Sequence, residues 1–362
     1  MRGPPAQKPA FSATFHHGLE AVVINTAALF LTLVAFGVFV SLYGHNPMEV
    51  FYVLYLGAFA TQISIESTLT QAAPLMLTAL CTAIPARAGL LVIGGEGALV
   101  IGGVATVLVG VHLGGLPFAL GVAIMGLVGA LAGGLWIGAA GALRQNRGVN
   151  ETISTLLMNY IAIAIMNHLI SGPIRDYEQV LKTSSWSIPE YLMVGTVPGL
   201  DVHYGLAVGV IACVLLYVVM RRMTFGFAVD ILGGNLRAAQ LAGLPINRMV
   251  LICCFLGGAG AGLAGAMEIM AVHGFASESL VVGFGYAGIL IAFLARQNPL
   301  AIILVAILLG GIAASGGLLQ RRFDLPDATT AVLQGMLFMM VLASNTAYGR
   351  FKFLQPREAQ TA

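Results

Sequence analysis

Ten stretches of this chain are apolar for long enough to approach or exceed the thickness of a bilayer core, and short polar breaks separate them. They run near 20–43, 66–86, 97–113, 117–143, 152–171, 204–220, 249–272, 284–296, 299–318 and 328–346. A spanning helix needs about 20 such residues, so the run at 284–296 is short enough to be a half-span. Lipid offers nothing to hydrogen-bond with, so only helices or a closed barrel can cross it. Continuous apolar runs without period-two alternation argue against the barrel. The expected fold class is all-α and polytopic, with about ten transmembrane helices. Charged residues make up 9% of the 362 positions, against roughly 25% in soluble domains, which excludes a soluble enzyme. High hydropathy also excludes disorder. The four cysteines, Cys81, Cys213, Cys253 and Cys254, lie inside apolar runs without metal-ligand spacing and read as small buried hydrophobes.

The charges are few but placed asymmetrically. Ten crossings from a cytoplasmic N-terminus put Arg2, Lys8, Arg87, Arg144, Arg147, Arg221, Arg222, Arg237, Arg248, Arg296, Arg350, Lys352 and Arg357 inside. Only Arg175, Lys182, Arg321 and Arg322 fall outside. Positive charge accumulates on the cytoplasmic side, so both termini are expected there. The expected organisation is a flexible tail over 1–19, one transmembrane domain over 20–346 and a second tail over 347–362. The first apolar run is too long for a secretory signal and is not followed by a small-residue cleavage site. The longest outside segment, about 172–203, is too small to be a ligand-binding domain.

The longest inside loop, 221–248, encodes a small helix. Asn235 follows Gly233-Gly234 as an N-cap, Gly243 fits the position past the C-terminus, and Pro245 stops continuation. Such a helix of about two turns is marginal in water. It reads either as a surface connector or as a docking helix whose Ala238, Ala239 and Ala242 enter a groove on another protein.

Other motifs are weighed by context. Gly260 to Gly265 satisfies G-x-G-x-x-G, but it lies inside an apolar run with no βαβ unit around it, which removes the dinucleotide reading. Small residues four apart, such as Gly258 and Gly262, Gly129 and Gly133, or Gly134 and Gly138, fit close helix contact in lipid. Glu96 and Glu268 lie at or near membrane depth, where a carboxylate costs on the order of 3 kcal/mol and must face water, a partner or the bundle interior. Glu96 follows the Gly94-Gly95 break, where it either caps backbone donors, pairs with Arg87, or contacts a ligand. Glu268 and His273, five apart, are expected on somewhat different faces. Asn159, Tyr160 and Asn167 share a helix face and either line a central pathway or bond to a neighbouring helix. Phe284, Tyr286 and Gln334 are weaker pathway candidates, with core packing as the alternative for the two aromatics.

Four segments then carry a resemblance. Gly89 to Gly97, Asn150 to Tyr160, Gly233 to Gly243 and Gly283 to Pro299 resemble, in order, the motifs of permease subunits in the ribose and branched-chain amino acid superfamily of ABC importers, nucleoside and simple-sugar branch. Val92, Gly95 and Ala98 stand where that pattern has Asn, Ala and Gln. The resemblance implies the type II ABC importer permease fold in a bacterial plasma membrane. It implies coupling to an ATPase through Asn235, Leu236, Arg237, Ala238, Ala239 and Gln240, with Arg147, Asn150 and Glu151 as a second inside contact. A substrate pathway past Asn159, Tyr160, Glu96, Phe284 and Tyr286 is the matching expectation. The implied partners are ABC ATPase subunits carrying ATP and Mg, a second and similar permease chain, and an extracytoplasmic substrate-binding lipoprotein. Surrounding lipid completes the setting, and no nucleic acid is expected. No Gly-x-x-x-x-Gly-Lys-Ser/Thr occurs in the chain, so it holds no phosphate cradle of that kind. The alternative is a stand-alone secondary transporter or channel, which would need intramembrane ionisable groups, and Glu96 and Glu268 are the candidates.

Overall fold

The computed structural model describes residues 11–178, 182–197, 199–326 and 328–345, with side chains described from residue 26 to 344. The tail cations Arg2, Lys8, Arg350, Lys352 and Arg357 lie outside the described residues. Among the described residues the chain is helical, with isolated bridges and no strand. The helices are α1 (Phe11–Leu42), α2 (Pro47–Tyr55), α3 (Gln62–Arg87), α4 (Gly95–Gly110), α5 (Phe118–Arg147), α6 (Glu151–Ser171) and α7 (Gly205–Arg222). They continue with α8 (Thr224–Gly234), α9 (Leu236–Leu241), α10 (Ile246–Glu268), α11 (Phe284–Leu294), α12 (Pro299–Ala314), α13 (Gly316–Phe323) and α14 (Ala328–Asn345).

All ten apolar runs become helix, but not all become long helix. Among the described residues six helices are long and apolar enough to cross a bilayer, and a seventh crossing is added if the pair Thr26–Leu42 and Pro47–Ala60, bent by 117°, counts as one. α4, α11 and α14 belong to the shorter apolar class. α2 and α8 are elements that the apolar pattern did not announce.

The chain forms two compact units, residues 1–53 with 316–362 and residues 54–315. In the first, α1 packs against α14, and the fully buried Phe36 gathers Phe39 and Phe51 at centroid distances of 6.0 and 6.1 Å.

The second unit is built around α3 and α10. The apolar window of α3 is 78% buried and that of α7 only 22%, which separates an axial helix from a peripheral one. α10 packs on α3, α4 and α5, and its glycines let it do so. A Cβ on Gly133 of α5 would stand 2.5 Å from the Gly258 oxygen and 2.6 Å from Gly262 Cα. A Cβ on Gly102 of α4 would stand 2.5 Å from Gly262 Cα. Backbones this close are the packing mode available where lipid removes the hydrophobic drive. Of the small-residue pairs expected to allow close helix contact, Gly129 and Gly133 meet Gly258 and Gly262, whereas Gly138 meets nothing within 4 Å. Pro85 inside α3 cannot donate to the Cys81 carbonyl, and at that point Gly257 of α10 comes so near that a Cβ would be 2.8 Å from the freed oxygen.

Candidate functional site

At one end of the second unit, α8 and α9 form an exposed elbow. Asn235 ends α8 and starts α9, its side chain accepting from the Arg237 and Ala238 amides at 2.9 and 3.1 Å. Gly243 lies beyond the helix at φ +68°, the left-handed conformation that suits glycine. Leu236 and Leu241 are 55% and 85% exposed, and Arg237, Ala238 and Gln240 are exposed beside them. Ala239 is fully buried, so it faces its own chain and not the surface that a partner would meet.

The elbow is fastened to the end of α3. The Arg87 guanidinium donates to both oxygens of Asp230 on α8, through Nε to Oδ1 at 3.0 Å and Nη2 to Oδ1 and Oδ2 at 2.7 Å. Of the alternatives for Glu96, the pair with Arg87 is not formed, since the partner of Arg87 is Asp230. Gly233 of α8 approaches Gly89, where the chain leaves α3 at φ +78°.

From Gly89 the chain does not re-enter helix until Gly95, and residues 90–94 run as a non-helical strap into the bundle. Such backbone survives at depth only if its polar groups are satisfied, and one face of α6 does most of this. The amides of Leu91, Ile93 and Gly97 donate to Glu151 Oε1 (3.3 Å), Thr155 Oγ1 (3.1 Å) and Asn159 Oδ1 (2.8 Å). The carbonyls of Leu91 and Ile93 accept from Thr152 Oγ1 and Asn159 Nδ2, each at 3.0 Å. Thr82 of α3 donates to the Val92 carbonyl at 3.1 Å. Arg144 of α5 pairs with the second oxygen of Glu151. Of the second inside contact, Arg147 and Asn150 are exposed, Asn150 capping α6 through the Thr152 and Ile153 amides. Glu151 is 6% exposed and engaged within the chain.

The strap delivers Glu96, in the first turn of α4, to the start of α11. Its fully buried carboxylate accepts from the Gly283 amide at 2.8 Å through Oε1 and the Gly285 amide at 2.6 Å through Oε2. These are orphan donors of the α11 N-terminus, and an anion is favoured by the N-terminal dipole of α4 and of α11 alike. Gly285 permits the crossing, since a Cβ there would be 2.6 Å from Glu96 Cα. Of the two structural expectations for Glu96, capping holds, although the donors it caps belong to a helix 187 residues away in sequence.

The five expected pathway residues divide in two. Glu96, Asn159 and Phe284 are buried, and the Phe284 carbonyl accepts from Thr78 Oγ1 at 3.0 Å. Tyr160 and Tyr286 are 61% and 42% exposed, with the Tyr286 hydroxyl 3.5 Å from Asn159 Nδ2. Of the five, these two phenols are the exposed ones. Asn167 shares the Asn159 face of α6, and its Oδ1 has no hydrogen-bond partner among the described residues. Gln334 lies in the first unit, on α14. Glu268 and His273 approach to 3.7 Å, against the expectation of somewhat different faces, because residues 269–273 form a π turn whose wider i→i+5 hydrogen bonding brings positions five apart closer round the axis. Sequence reasoning missed Asp230, Thr82, Thr152 and Thr155. The three threonines carried a signal in retrospect, since hydroxyls at membrane depth need acceptors.

Replacing Asn159 by Leu removes a donor from the Ile93 carbonyl and an acceptor from the Gly97 amide. Each buried group left unsatisfied costs about 1–3 kcal/mol. The thermal midpoint in detergent is expected to drop by several degrees, and an unchanged midpoint would show that the strap is held without Asn159.

Comparison with known proteins bears on this arrangement. Residues 64–342 match the family described as branched-chain amino acid transport system / permease component. The chain is 31% identical over 311 residues to the glucose ABC transporter permease protein TsgB13 of Haloferax volcanii, covering 83% of this chain and 81% of that protein. It is 29% identical over 336 residues to the guanosine ABC transporter permease protein NupP of Bacillus subtilis, covering 90% and 94%. With the nucleoside ABC transporter permease protein NupB of Lactococcus lactis it shares 24% over 310 residues, covering 83% and 85%. The solved structure of PsaBC from Streptococcus pneumoniae in complex with Fab is similar over 80% of this chain and 94% of that one, at 14% identity and a TM-score of 0.44, a likeness too loose to argue from. Matched over most of its length, and carrying the strap and the capped elbow on that matched stretch, the chain belongs to the branched-chain amino acid transport system permease-component family.

Proposed function

We propose that this chain is one permease subunit of an ATP-driven importer for nucleosides, nucleobases or simple sugars, in the bacterial inner membrane. The observation that carries this reading is the exposed, Asn235-capped elbow at α9, fastened by Arg87 and Asp230 to the axial helix α3. A six-residue helix presenting Leu236 and Leu241 to solvent has the form of a knob for a soluble partner. In this reading the partner is the ATPase, which holds ATP and Mg; Arg147 and Asn150 make a second contact beside the knob. The names of TsgB13, NupP and NupB, for glucose, guanosine and nucleosides, support the sugar and nucleoside classes.

The ten apolar runs make ten crossings with both termini cytoplasmic, α4 and α11 being broken crossings completed by the segments before them. A second, similar permease chain faces Tyr160 and Tyr286, and the path for solute runs between the two. A separate extracytoplasmic lipoprotein delivers the solute. Closure of the ATPase dimer moves the elbow, and the bundle shifts between outward and inward access as an equilibrium of two states.

Arg237→Glu tests the reading. The variant is expected to insert into the membrane as the wild type does, because residue 237 is exposed, and to lose ATP-dependent uptake. Transport that survives both this change and deletion of 235–242 would remove the coupling role. Uptake by the chain alone in proteoliposomes, driven by an ion gradient, would replace this reading with a secondary transporter.

A further inference from the structure

We propose that the Arg87–Asp230 pair is the strut that carries elbow movement into the bundle. This inference rests on the coupling reading of α9 and goes beyond it, because it names the contact through which displacement leaves the elbow.

Asn235 is at once the C-cap of α8 and the N-cap of α9, so the two short helices share one residue and no linker separates them. Whatever displaces α9 displaces Asp230. On the bundle side, Arg87 is the last residue of α3, and its side chain is only 12% exposed. Two residues later Gly89 begins the non-helical strap, which leads to Glu96 and through it to the Gly283 and Gly285 amides of α11. The ion pair therefore meets the bundle where the axial helix gives way to the segment that holds both broken helices.

Its chemistry suits a strut better than a staple. The guanidinium fork engages both carboxylate oxygens, which fixes direction as well as distance. Asp230 is 50% exposed, which limits what the pair adds to folding stability, while Arg87 at 12% exposure keeps its guanidinium on the bundle side. Meanwhile the neighbouring Val229 and Leu232 are 0% and 5% exposed and keep α8 attached. Loss of the pair should consequently spare the fold and spoil the transmission of movement.

The test uses the complete complex in proteoliposomes: both permeases, the ATPases and the binding protein. The readouts are ATP hydrolysis and accumulation of whichever probe among labelled guanosine, adenosine, uridine and glucose the wild-type complex takes up. Arg87→Asp and Asp230→Arg alone are expected to lower uptake by about tenfold or more, the scale of an ordinary coupling free energy. Hydrolysis should continue in both, and no longer respond to loaded binding protein. The double exchange restores the pair with its ends reversed and should recover most of the uptake. Single variants that transport normally overturn the strut, as does a double exchange that assembles with the wild-type thermal midpoint and stays as inactive as the singles. Arg237→Glu in the same assay separates the two ideas. If it transports normally the coupling reading fails, and if it is inactive while the Arg87 and Asp230 variants are normal only the strut fails.

Discussion

Replacing Glu96 by Ala is expected to be the most damaging single change in the second unit. The carboxylate holds the Gly283 and Gly285 amides, and removing it leaves one buried and one part-buried donor without partners, at up to about 1–3 kcal/mol each. It also withdraws an anion from two helix N-termini, where it is worth up to about 2 kcal/mol in partly buried settings. Against a total stability of about 5–15 kcal/mol for an ordinary domain, the sum leaves little margin. The variant should accumulate poorly in membranes, and any purified fraction should melt well below the wild type. Glu96→Gln keeps the shape and one acceptor but turns an amide donor toward a second donor, so it should fall between the two. Wild-type melting and uptake in Glu96→Ala would mean that α4 and α11 are held together by packing alone.

The second large effect is expected at Gly133, and its control lies on the same helix. A Cβ at Gly133 meets backbone of α10 on three atoms, at 2.5, 2.6 and 2.7 Å. Backbone cannot rotate away as a flexible side chain can, so Gly133→Ala must push α5 and α10 apart, with an overpacking cost of about 1–3 kcal/mol and the loss of contacts along the whole crossing. Gly138→Ala, five residues on, meets nothing within 4 Å. It should be neutral or should stabilise by up to about 1 kcal/mol through helix propensity. Melting both variants in one detergent checks the contrast, which vanishes if the α5–α10 interface is not formed by backbone proximity.

What could be read from the sequence was local, and what could not was relational. Asn235 and Gly243 announce the small helix because capping and the left-handed turn are chemistry of neighbouring residues, and both are found as expected. The apolar runs predict helix for the same reason. α2 was missed although Asn46 and Pro47 carry a start signal, with Asn46 accepting from the Met48 amide at 3.0 Å, because attention to hydropathy hides a nine-residue helix. Glu96 was narrowed to capping, a pair with Arg87, or ligand contact, and nothing in its vicinity could reveal that the capped amides lie at Gly283 and Gly285. Arg87 has the same lesson in reverse, its carboxylate being 143 residues distant at Asp230. For Asn159 both ends of the amide are engaged, Oδ1 by the Gly97 amide of α4 and Nδ2 by the Ile93 carbonyl of the strap.

The way α6 serves residues 90–94 has a consequence for how such a chain can vary. Glu151, Thr152, Thr155 and Asn159 act as a ruler: the helix repeat sets the intervals at which they reach Leu91, Ile93 and Gly97. Substitutions that preserve donor and acceptor type can accumulate there one at a time. Insertion or loss of one residue within that stretch turns every later tooth by about 100° around the helix axis, and no single compensating exchange can bring the two scales back into step.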